Sequence, residues 1–290
     1  MTEIYRGMDE ATLAREYSAA GTVPSIEPIL DRYAALSAEM RATLPCHLDV
    51  AYGRTEAETM DVFPAGPHAP VFMFVHGGYW RRLSKDESSF MAGVFTDAGV
   101  SVAAINYQLA PEASLDEIVR QCRAALAWLH ANGREFGIDP ARIHIGGSSA
   151  GGHLVGMLLA DGWHDLFGAP PDVVKGAMSA SGLYDLEPVR LTTPNEWLDL
   201  DGGAAARNSP ILHLPERSSP GGCPLIVTWG GSETSEFKRQ SHDYAAAWQR
   251  QGFPCSAYEI TERNHFDIIL DLADSESRLA RDTLAMIAEA

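Results

Sequence analysis

From Val71 onward, short runs of apolar residues recur along the chain, and longer segments with helical spacing separate them. A short, continuously apolar run is typical of a strand buried on both faces of a parallel sheet. The helical segments between the runs then serve as crossover connections. Six parallel strands are predicted at Val71 to Val75, Val102 to Asn106, Ile143 to Gly146, Val174 to Ser179, Leu225 to Trp229 and Cys255 to Ile260.

The segments His47 to Tyr52 and Glu58 to Phe63 show a different pattern, in which apolar and polar residues alternate. Alternation around the turn residues 53–56 predicts a hairpin that opens the sheet with an antiparallel pair. Before it, residues 10–19 and 26–42 have helical patterns. We therefore expect an N-terminal helical arm or cap over residues 1–45 and an α/β domain over residues 46–290.

Three further helices follow from the pattern. Ser114 followed by Glu117 predicts a capping box, and apolar residues then recur at helical spacing up to Gly133. A second helix is predicted from Glu236 to Gln251, with its aromatic residues on one face. The segment Gly152 to Ala160 is apolar nearly all round, which is typical of a helix packed at the centre of a sheet.

Composition narrows the class of protein. The 290 residues are 46% hydrophobic and 21% charged, as in globular proteins that need neither disulfides nor a structural metal. With 22 basic and 39 acidic residues, the net charge of −17 argues against nucleic-acid and anionic membrane partners. No apolar stretch is long enough to span a bilayer and no signal-peptide core is visible, so we expect a cytoplasmic protein. The four cysteines are widely spaced, which favours free thiols over a metal or redox site.

The candidate nucleophile is Ser149. It lies in Gly147-Ser148-Ser149-Ala150-Gly151, a G-x-S-x-G motif that follows a predicted strand and precedes a predicted helix. Such a serine occupies a strained turn that requires small flanking residues. The bare motif could equally be a chance glycine-rich turn or a phosphate loop, but a phosphate loop requires a Gly-Lys-Ser/Thr end that is absent.

The segment His76-Gly77-Gly78-Tyr79-Trp80 follows the first parallel strand and is the candidate oxyanion loop. The N–H groups of Gly78 and Tyr79, together with that of Ala150, are the expected donors to a developing oxyanion. His76 is expected to shape the loop. Trp80 is expected to contact the substrate, although an aromatic residue there could also pack in the core.

A general base and an acid should follow the nucleophile in chain order, at the ends of later strands. His265 lies in the loop after the last strand and is the expected base, whereas His242 falls inside a helix. Glu233 is the expected acid because it is nearest to the end of strand Leu225 to Trp229. Asp185, after the preceding strand, is the alternative acid, although a loop-shaping role is expected for it. Glu236 is expected in the first turn of a helix and Asp267 at the start of the next helix.

At these residues the chain resembles the arylformamidase (kynurenine formamidase) branch of the α/β-hydrolase fold, near the hormone-sensitive-lipase-type esterases. The resemblance rests on four segments: residues 76–80, 147–154, 233–241 and 264–269. It implies a triad of Ser149, Glu233 and His265, with glutamate where these enzymes usually carry aspartate. It also implies that the N-terminal arm and a cap insertion at residues 192–214 cover the pocket.

The expected activity is hydrolysis of a small carboxylic ester or of an aryl-formamide or other amide bond, through an acyl- or formyl-enzyme intermediate. No metal or organic cofactor is expected, and the partner is a small-molecule substrate. Two alternatives stay open: a carboxylesterase without formamidase activity, and a non-catalytic small-molecule-binding protein on the same fold. The oligomeric state, including a homo-oligomer, is also open.

Overall fold

A computed structural model describes residues 3–217 and 219–289 of the chain. Its strands form one eight-stranded sheet in the order β1-β2-β4-β3-β5-β6-β7-β8. The strands are β1 His47–Ala51, β2 Thr59–Phe63, β3 Ala69–Val75, β4 Ser101–Ile105, β5 Ile138–Ser148, β6 Val174–Ala180, β7 Leu225–Gly230 and β8 Cys255–Ile260.

The helices of the described residues connect and flank these strands. They are α1 Glu10–Glu16, α2 Glu27–Thr43, α3 Ala92–Asp97, α4 Leu115–Asn132, α5 Ala150–Leu159, α6 His164–Phe167, α7 Glu187–Arg190, α8 Asn195–Leu198, α9 Gly202–Arg207, α10 Ser235–Arg250 and α11 Arg278–Ala288.

The sheet is antiparallel at one end and parallel over the rest. Strand β2 pairs antiparallel with both β1 and β4, while β4, β3, β5, β6, β7 and β8 pair parallel in that order. This confirms the predicted α/β class, the opening hairpin and the six parallel strands. Strand β5 begins earlier than predicted, at Ile138, because a register shift between Ala69 and Val71 of β3 accommodates its polar first half.

Two cores lie on the two faces of the sheet. Successive side chains of a strand point to opposite faces, and in β3 residues 71, 73 and 75 enter one core while Phe72 and Phe74 enter the other. The first core packs against α4, α5 and α10, and the second against α3 and α11. Every residue of α5 is buried, as its apolar sequence predicts for a helix at the centre of the sheet.

Helix α4 begins as predicted but with half of the expected cap. The Ser114 hydroxyl accepts a hydrogen bond from the Glu117 N–H at 3.3 Å. The Glu117 carboxylate binds Arg120 and Gln121 instead of returning to Ser114. The capping box is therefore incomplete, because the basic side chain one turn later competes for the carboxylate.

Helices α1 and α2, in residues 1–45, pack over the carboxyl edge of the sheet. The Tyr17 hydroxyl, just after α1, donates to Glu236 at 3.0 Å, and the Thr234 hydroxyl donates to the Glu16 carbonyl at 2.5 Å. From α2, the Tyr33 hydroxyl donates to the Phe266 carbonyl. The arm is thus hydrogen-bonded to the loops that follow β7 and β8.

The four cysteines are free thiols, two of them buried and two half-buried. Among the described residues, no helix combines the length and apolar character needed to cross a bilayer. The same residues contain no cluster of three potential metal ligands.

Candidate active site

Ser149 occupies a tight turn between β5 and α5. Its backbone has φ 58° and ψ −120°, a conformation that is strained for a residue with a side chain. Its N–H donates to the Ala180 carbonyl at 2.8 Å, which ties the turn to β6. Only glycine fits at the two flanking positions. A Cβ on Gly151 would lie 2.1 Å from the Val75 carbonyl oxygen, and a Cβ on Gly147 would lie 2.6 Å from the Gly151 backbone.

His265 and Glu233 come to Ser149 from the loops after β8 and β7. The Nε2 atom of His265 lies 2.9 Å from Ser149 Oγ, and its Nδ1 atom lies 3.0 Å from Glu233 Oε2. His265 is 3% exposed and the side chain of Glu233 is fully buried. The three side chains predicted from the sequence therefore form one continuous hydrogen-bonded series.

Glu233 has two further partners that sequence reasoning missed. Its Oε1 atom accepts hydrogen bonds from the Gly230 N–H at 2.6 Å and from the Ser181 hydroxyl. Ser181 follows β6 and is buried, with φ 52°. No local motif marks it, because only the pairing of β6 with β7 brings it to the carboxylate.

The three alternative acids make contacts away from His265. Asp185 accepts from the Tyr5 hydroxyl at 3.0 Å, Glu236 forms an ion pair with Arg239 at 2.7 Å, and Asp267 accepts from the Asn264 N–H. His242 is exposed on α10. None of these four makes a hydrogen bond to His265 in the described part of the chain.

The loop after β3 turns sharply through left-handed backbone conformations. Gly78 has φ 98° and Tyr79 has φ 51°. A Cβ on Gly78 would lie 2.1 Å from the carbonyl oxygen of Arg82, so only glycine fits. The N–H groups of Gly78 and Tyr79 form no hydrogen bond within the described residues. The N–H of Ala150, the first residue of α5, has no partner within the helix either.

The prediction that Trp80 contacts the substrate is wrong. Trp80 is fully buried and does not line the cavity at Ser149. Its indole N–H donates to His153 Nδ1 at 3.2 Å, and the two rings meet edge to face. The side chain turns into the core because His153, on the buried helix α5, offers the acceptor that an interior indole requires. Trp197 lines the cavity in its place and donates to the Tyr79 carbonyl at 3.0 Å.

His76 shapes the loop, as expected. Its Nδ1 atom lies 2.9 Å from the Gly77 carbonyl oxygen, and its ring stacks on Tyr107 with the ring centres 4.0 Å apart. Burial lowers the pKa of His76 to about 4, so the imidazole is neutral at pH 7.

A cavity of about 480 Å³ opens on Ser149 and His265. Its size is that of a small-molecule site, and its walls are mainly aromatic and aliphatic. The arm contributes Tyr17, Leu30 and Tyr33, and the segment before and within α8 contributes Thr193, Pro194 and Trp197. The other aromatic wall residues are Phe74, Tyr79, Phe90 and Phe266.

Comparison with known proteins places the chain among hydrolases. The kynurenine formamidase of Danio rerio is 34% identical over 83% of this chain and 81% of its own length. The carboxylic ester hydrolase LipN of Mycobacterium tuberculosis is 38% identical over 31% of this chain and 25% of its own length.

A family profile described as BD-FAE matches residues 62–166. Among solved structures, a Silicibacter protein assigned as a thioesterase superposes with a TM-score of 0.81 at 30% identity, covering 95% of this chain and 98% of its own. The strand–serine turn–helix element and the mostly parallel sheet agree with that match. The chain belongs to the kynurenine formamidase family of α/β-hydrolases and is a hydrolase.

Proposed function

We propose that this protein is a serine hydrolase that cleaves a small carboxylic ester or an aryl-formamide bond, with Ser149 as nucleophile, His265 as general base and Glu233 as the acid that orients His265. The observation that carries the proposal is the continuous series of hydrogen bonds from Ser149 Oγ through both nitrogens of His265 to Glu233. Geometry of this kind allows one imidazole to accept the serine proton while its other nitrogen is held by a carboxylate.

In the first step, Ser149 Oγ attacks the carbonyl carbon of the substrate and its proton passes to His265 Nε2. The tetrahedral intermediate then expels the alcohol or amine, which receives that proton from His265. An acyl-enzyme forms from an ester and a formyl-enzyme from a formamide. Water, deprotonated by His265, attacks this intermediate and releases the carboxylic acid or formate, and Ser149 regains its proton.

The N–H groups of Gly78, Tyr79 and Ala150 are the proposed donors to the oxyanion. Support comes from their lack of other hydrogen-bond partners among residues 3–217 and 219–289, and from their position on the turn after β3 and at the start of α5. Donors that are fixed before the reaction stabilise the developing charge without reorganisation.

The N-terminal arm of residues 1–45 and the proposed cap insertion of residues 192–214 would cover the bound substrate. Tyr17, Tyr33 and Trp197 from these segments line the cavity. Their aromatic rings suit a small aromatic or aliphatic substrate.

The aryl-formamide substrate is proposed from the Danio rerio relative, which matches most of the chain, and ester substrates from LipN, which matches a shorter part. To separate the two, kcat/KM is measured for N-formylkynurenine and for short p-nitrophenyl esters. A marked preference for the formamide supports formamidase activity. A marked preference for the esters contradicts formamidase activity and supports a carboxylesterase with the same mechanism.

Labelling with a fluorophosphonate tests the mechanism itself and the alternative of a non-catalytic binding protein. We expect an adduct on Ser149 in the wild-type protein and none in Ser149→Ala. Ser148→Ala is the matched control, since it removes the neighbouring hydroxyl and keeps Ser149. An unlabelled wild-type protein, or equal labelling in Ser149→Ala, overturns the serine mechanism.

A further inference from the structure

Tyr79, whose N–H group is a proposed oxyanion donor, has a left-handed backbone conformation with φ 51°. Glycine adopts this conformation freely, but for a residue with a side chain it is strained. Such a conformation persists only where the surrounding structure fixes it. The contacts of Tyr79 therefore show what holds its N–H group in place.

The residues on either side of Tyr79 are held by the turn itself and by the core. The Gly78 carbonyl accepts two backbone N–H groups from the residues that complete the turn, each at 3.0 Å. The Trp80 carbonyl accepts the Ala110 N–H at 2.7 Å, and the Trp80 indole donates to His153 at 3.2 Å. None of these hydrogen bonds involves an atom of Tyr79.

Within residues 3–217 and 219–289, the hydrogen bonds of Tyr79 join it to the two segments that wall the cavity. Its hydroxyl donates to the carbonyl of Tyr17, just after α1 in the N-terminal arm, at 2.6 Å. Its carbonyl accepts the indole N–H of Trp197, in α8, at 3.0 Å. The rings of Tyr79 and Trp197 also meet nearly edge to face, with their centres 6.3 Å apart. Tyr79 is therefore fixed from outside the sheet.

Both partners of Tyr79 are themselves anchored. The Tyr17 hydroxyl donates to Glu236 and accepts from the Gln240 amide, each at 3.0 Å, which ties the arm to α10. The guanidinium carbon of Arg81 lies 4.8 Å from the centre of the Trp197 ring, a distance at which a cation attracts an aromatic face. Each anchored partner can therefore resist rotation of Tyr79.

The two hydrogen bonds act on the direction of the Tyr79 N–H through the backbone. This N–H belongs to the peptide unit that carries the Gly78 carbonyl, whereas the carbonyl bound by Trp197 belongs to the next unit. The two planar units meet at the Tyr79 Cα, and rotation there turns one against the other. Holding the second unit and the side chain therefore keeps the N–H in its strained direction.

We propose that the Tyr79 hydroxyl and the Trp197 indole are positioning groups for the oxyanion hole, so that the arm and the α8 segment complete the catalytic machinery as well as enclosing the substrate. The inference rests on the proposed function, because it takes Ser149 as the nucleophile and the Tyr79 N–H as an oxyanion donor. An oxyanion exists in the transition state and not in the bound substrate, so these groups act on kcat. A residue that merely contacts the substrate acts on KM as well.

The kinetic test uses Trp197→Phe and Tyr79→Phe, which each remove one hydrogen bond and keep an aromatic ring. We expect each variant to lower kcat for p-nitrophenyl acetate about five- to tenfold and to leave KM within about twofold of the wild-type value. The double variant should lose about 10²-fold, close to the loss of a whole oxyanion donor. Formation and hydrolysis of the acyl-enzyme both pass through an oxyanion, so kcat reports the hole whichever step is slower.

A transition-state analogue separates positioning from contact. With phenethyl trifluoromethyl ketone, Ser149 Oγ bonds to the carbonyl carbon, its proton passes to His265, and the carbonyl oxygen takes the electron pair as an oxyanion. Phenethyl methyl ketone has nearly the same shape and binds without this addition. In Trp197→Phe and Tyr79→Phe, Ki for the trifluoromethyl ketone should rise by the factor by which kcat falls, while Ki for the methyl ketone stays unchanged. An equal rise of both Ki values and of KM would overturn the proposal.

Trp163→Phe is the matched control. It removes an indole N–H that donates to the Leu158 carbonyl at 3.2 Å, outside the residues that line the cavity, and kcat and both Ki values should stay at the wild-type level. Circular dichroism confirms that each variant is folded. Wild-type kcat and Ki values in Trp197→Phe, Tyr79→Phe and the double variant would overturn the proposal.

Fluorine NMR of the trifluoromethyl ketone complex tells this failure from failure of the proposed function. If the wild-type protein forms no hemiketal, Ser149 is not the nucleophile, and the proposed mechanism and this inference are both wrong. If the hemiketal forms with the same affinity in the wild type and in the two hydrogen-bond variants, the serine mechanism stands and this inference alone is wrong.

Discussion

The Ser181 hydroxyl donates a hydrogen bond to Oε1 of Glu233, the carboxylate oxygen that does not face His265. Both side chains are buried, and Ser181 holds a left-handed backbone conformation that directs its side chain to this contact. The Gly230 N–H binds the same oxygen. Two donors therefore hold one oxygen of the carboxylate while the other faces His265. In the proposed mechanism, Ser181 is a positioning residue that acts through Glu233.

Ser181→Ala should lower kcat about five- to tenfold and leave KM close to its wild-type value, a loss of ~1 to 1.4 kcal/mol in transition-state stabilisation. The reason is that Glu233 gains freedom to rotate, while no contact with substrate is lost. Steady-state kinetics with Ser181→Ala, Glu233→Gln and the double variant form a cycle that tests this reason. A loss that is as large without the Glu233 carboxylate as with it would show that Ser181 acts by another route.

Glu233→Gln should lower kcat about 10³- to 10⁴-fold, because an amide cannot stabilise the imidazolium as a carboxylate does. Glu233→Asp tests the length of the side chain. The shorter side chain keeps the charge but places it one methylene farther from His265. We expect kcat to fall about 10²-fold because His265 is misplaced. The measurement is kcat for the better substrate class, with circular dichroism as the control for folding. Wild-type activity in Glu233→Asp would contradict the importance of the observed geometry.

Gly151→Ala should destabilise the fold by about 1 to 3 kcal/mol or more, because the added Cβ would lie 2.1 Å from the Val75 carbonyl oxygen in a region with no room to relax. Urea unfolding gives the free energy. Gly202→Ala is the matched control: its Cβ meets nothing within 4 Å, so the change should stay within about 0.5 kcal/mol of zero. Equal stability of the two variants would contradict the packing at the serine turn.

Acid should destabilise the protein through its buried histidines. Burial lowers the pKa of His153 from 6.5 to about 4, and its Nδ1 atom accepts the Trp80 indole N–H, which requires the neutral ring. The unfolded chain therefore binds more protons than the folded one between these two pH values, and stability falls as pH is lowered through that window.

His153→Gln should reduce this pH dependence, measured as the slope of the unfolding free energy between pH 6.5 and 4, by up to ~1.4 kcal/mol per pH unit. Urea unfolding at several pH values gives the slope. His242→Gln removes an exposed histidine and serves as the control for the loss of a histidine as such. A slope equal to that of the wild type in His153→Gln would show that His153 is not held neutral by its surroundings.

The fold was largely predictable because its strands are buried on both faces. In the sequence such strands are continuous apolar runs. The predicted bounds of β3, β6, β7 and β8 lie within two residues of the observed bounds. Ser149, His265 and Glu233 were found for a related reason, since all three follow strands and the carboxyl ends of parallel strands meet at one edge.

The direction in which a loop side chain points was not predictable. Trp80 and Trp197 are both tryptophans outside the strands, but only the tertiary position of His153 decides that Trp80 turns inward. Ser181 was missed because its contact with Glu233 joins residues that are distant in sequence. The cytoplasmic location stays a prediction.

The hydrogen bonds of Glu16 and Tyr17 bear on the order in which the molecule is assembled. The Glu16 carbonyl accepts from Thr234, and the Tyr17 hydroxyl binds Glu236 and Gln240, more than 200 residues later in the chain. Contacts between segments so far apart form late, after local structure and the sheet that positions their partners. During synthesis, the arm therefore docks only after α10 has been made and has folded. One of the first segments to be synthesised is among the last to reach its final position. A binding cavity walled by that arm is complete only when nearly the whole chain has folded.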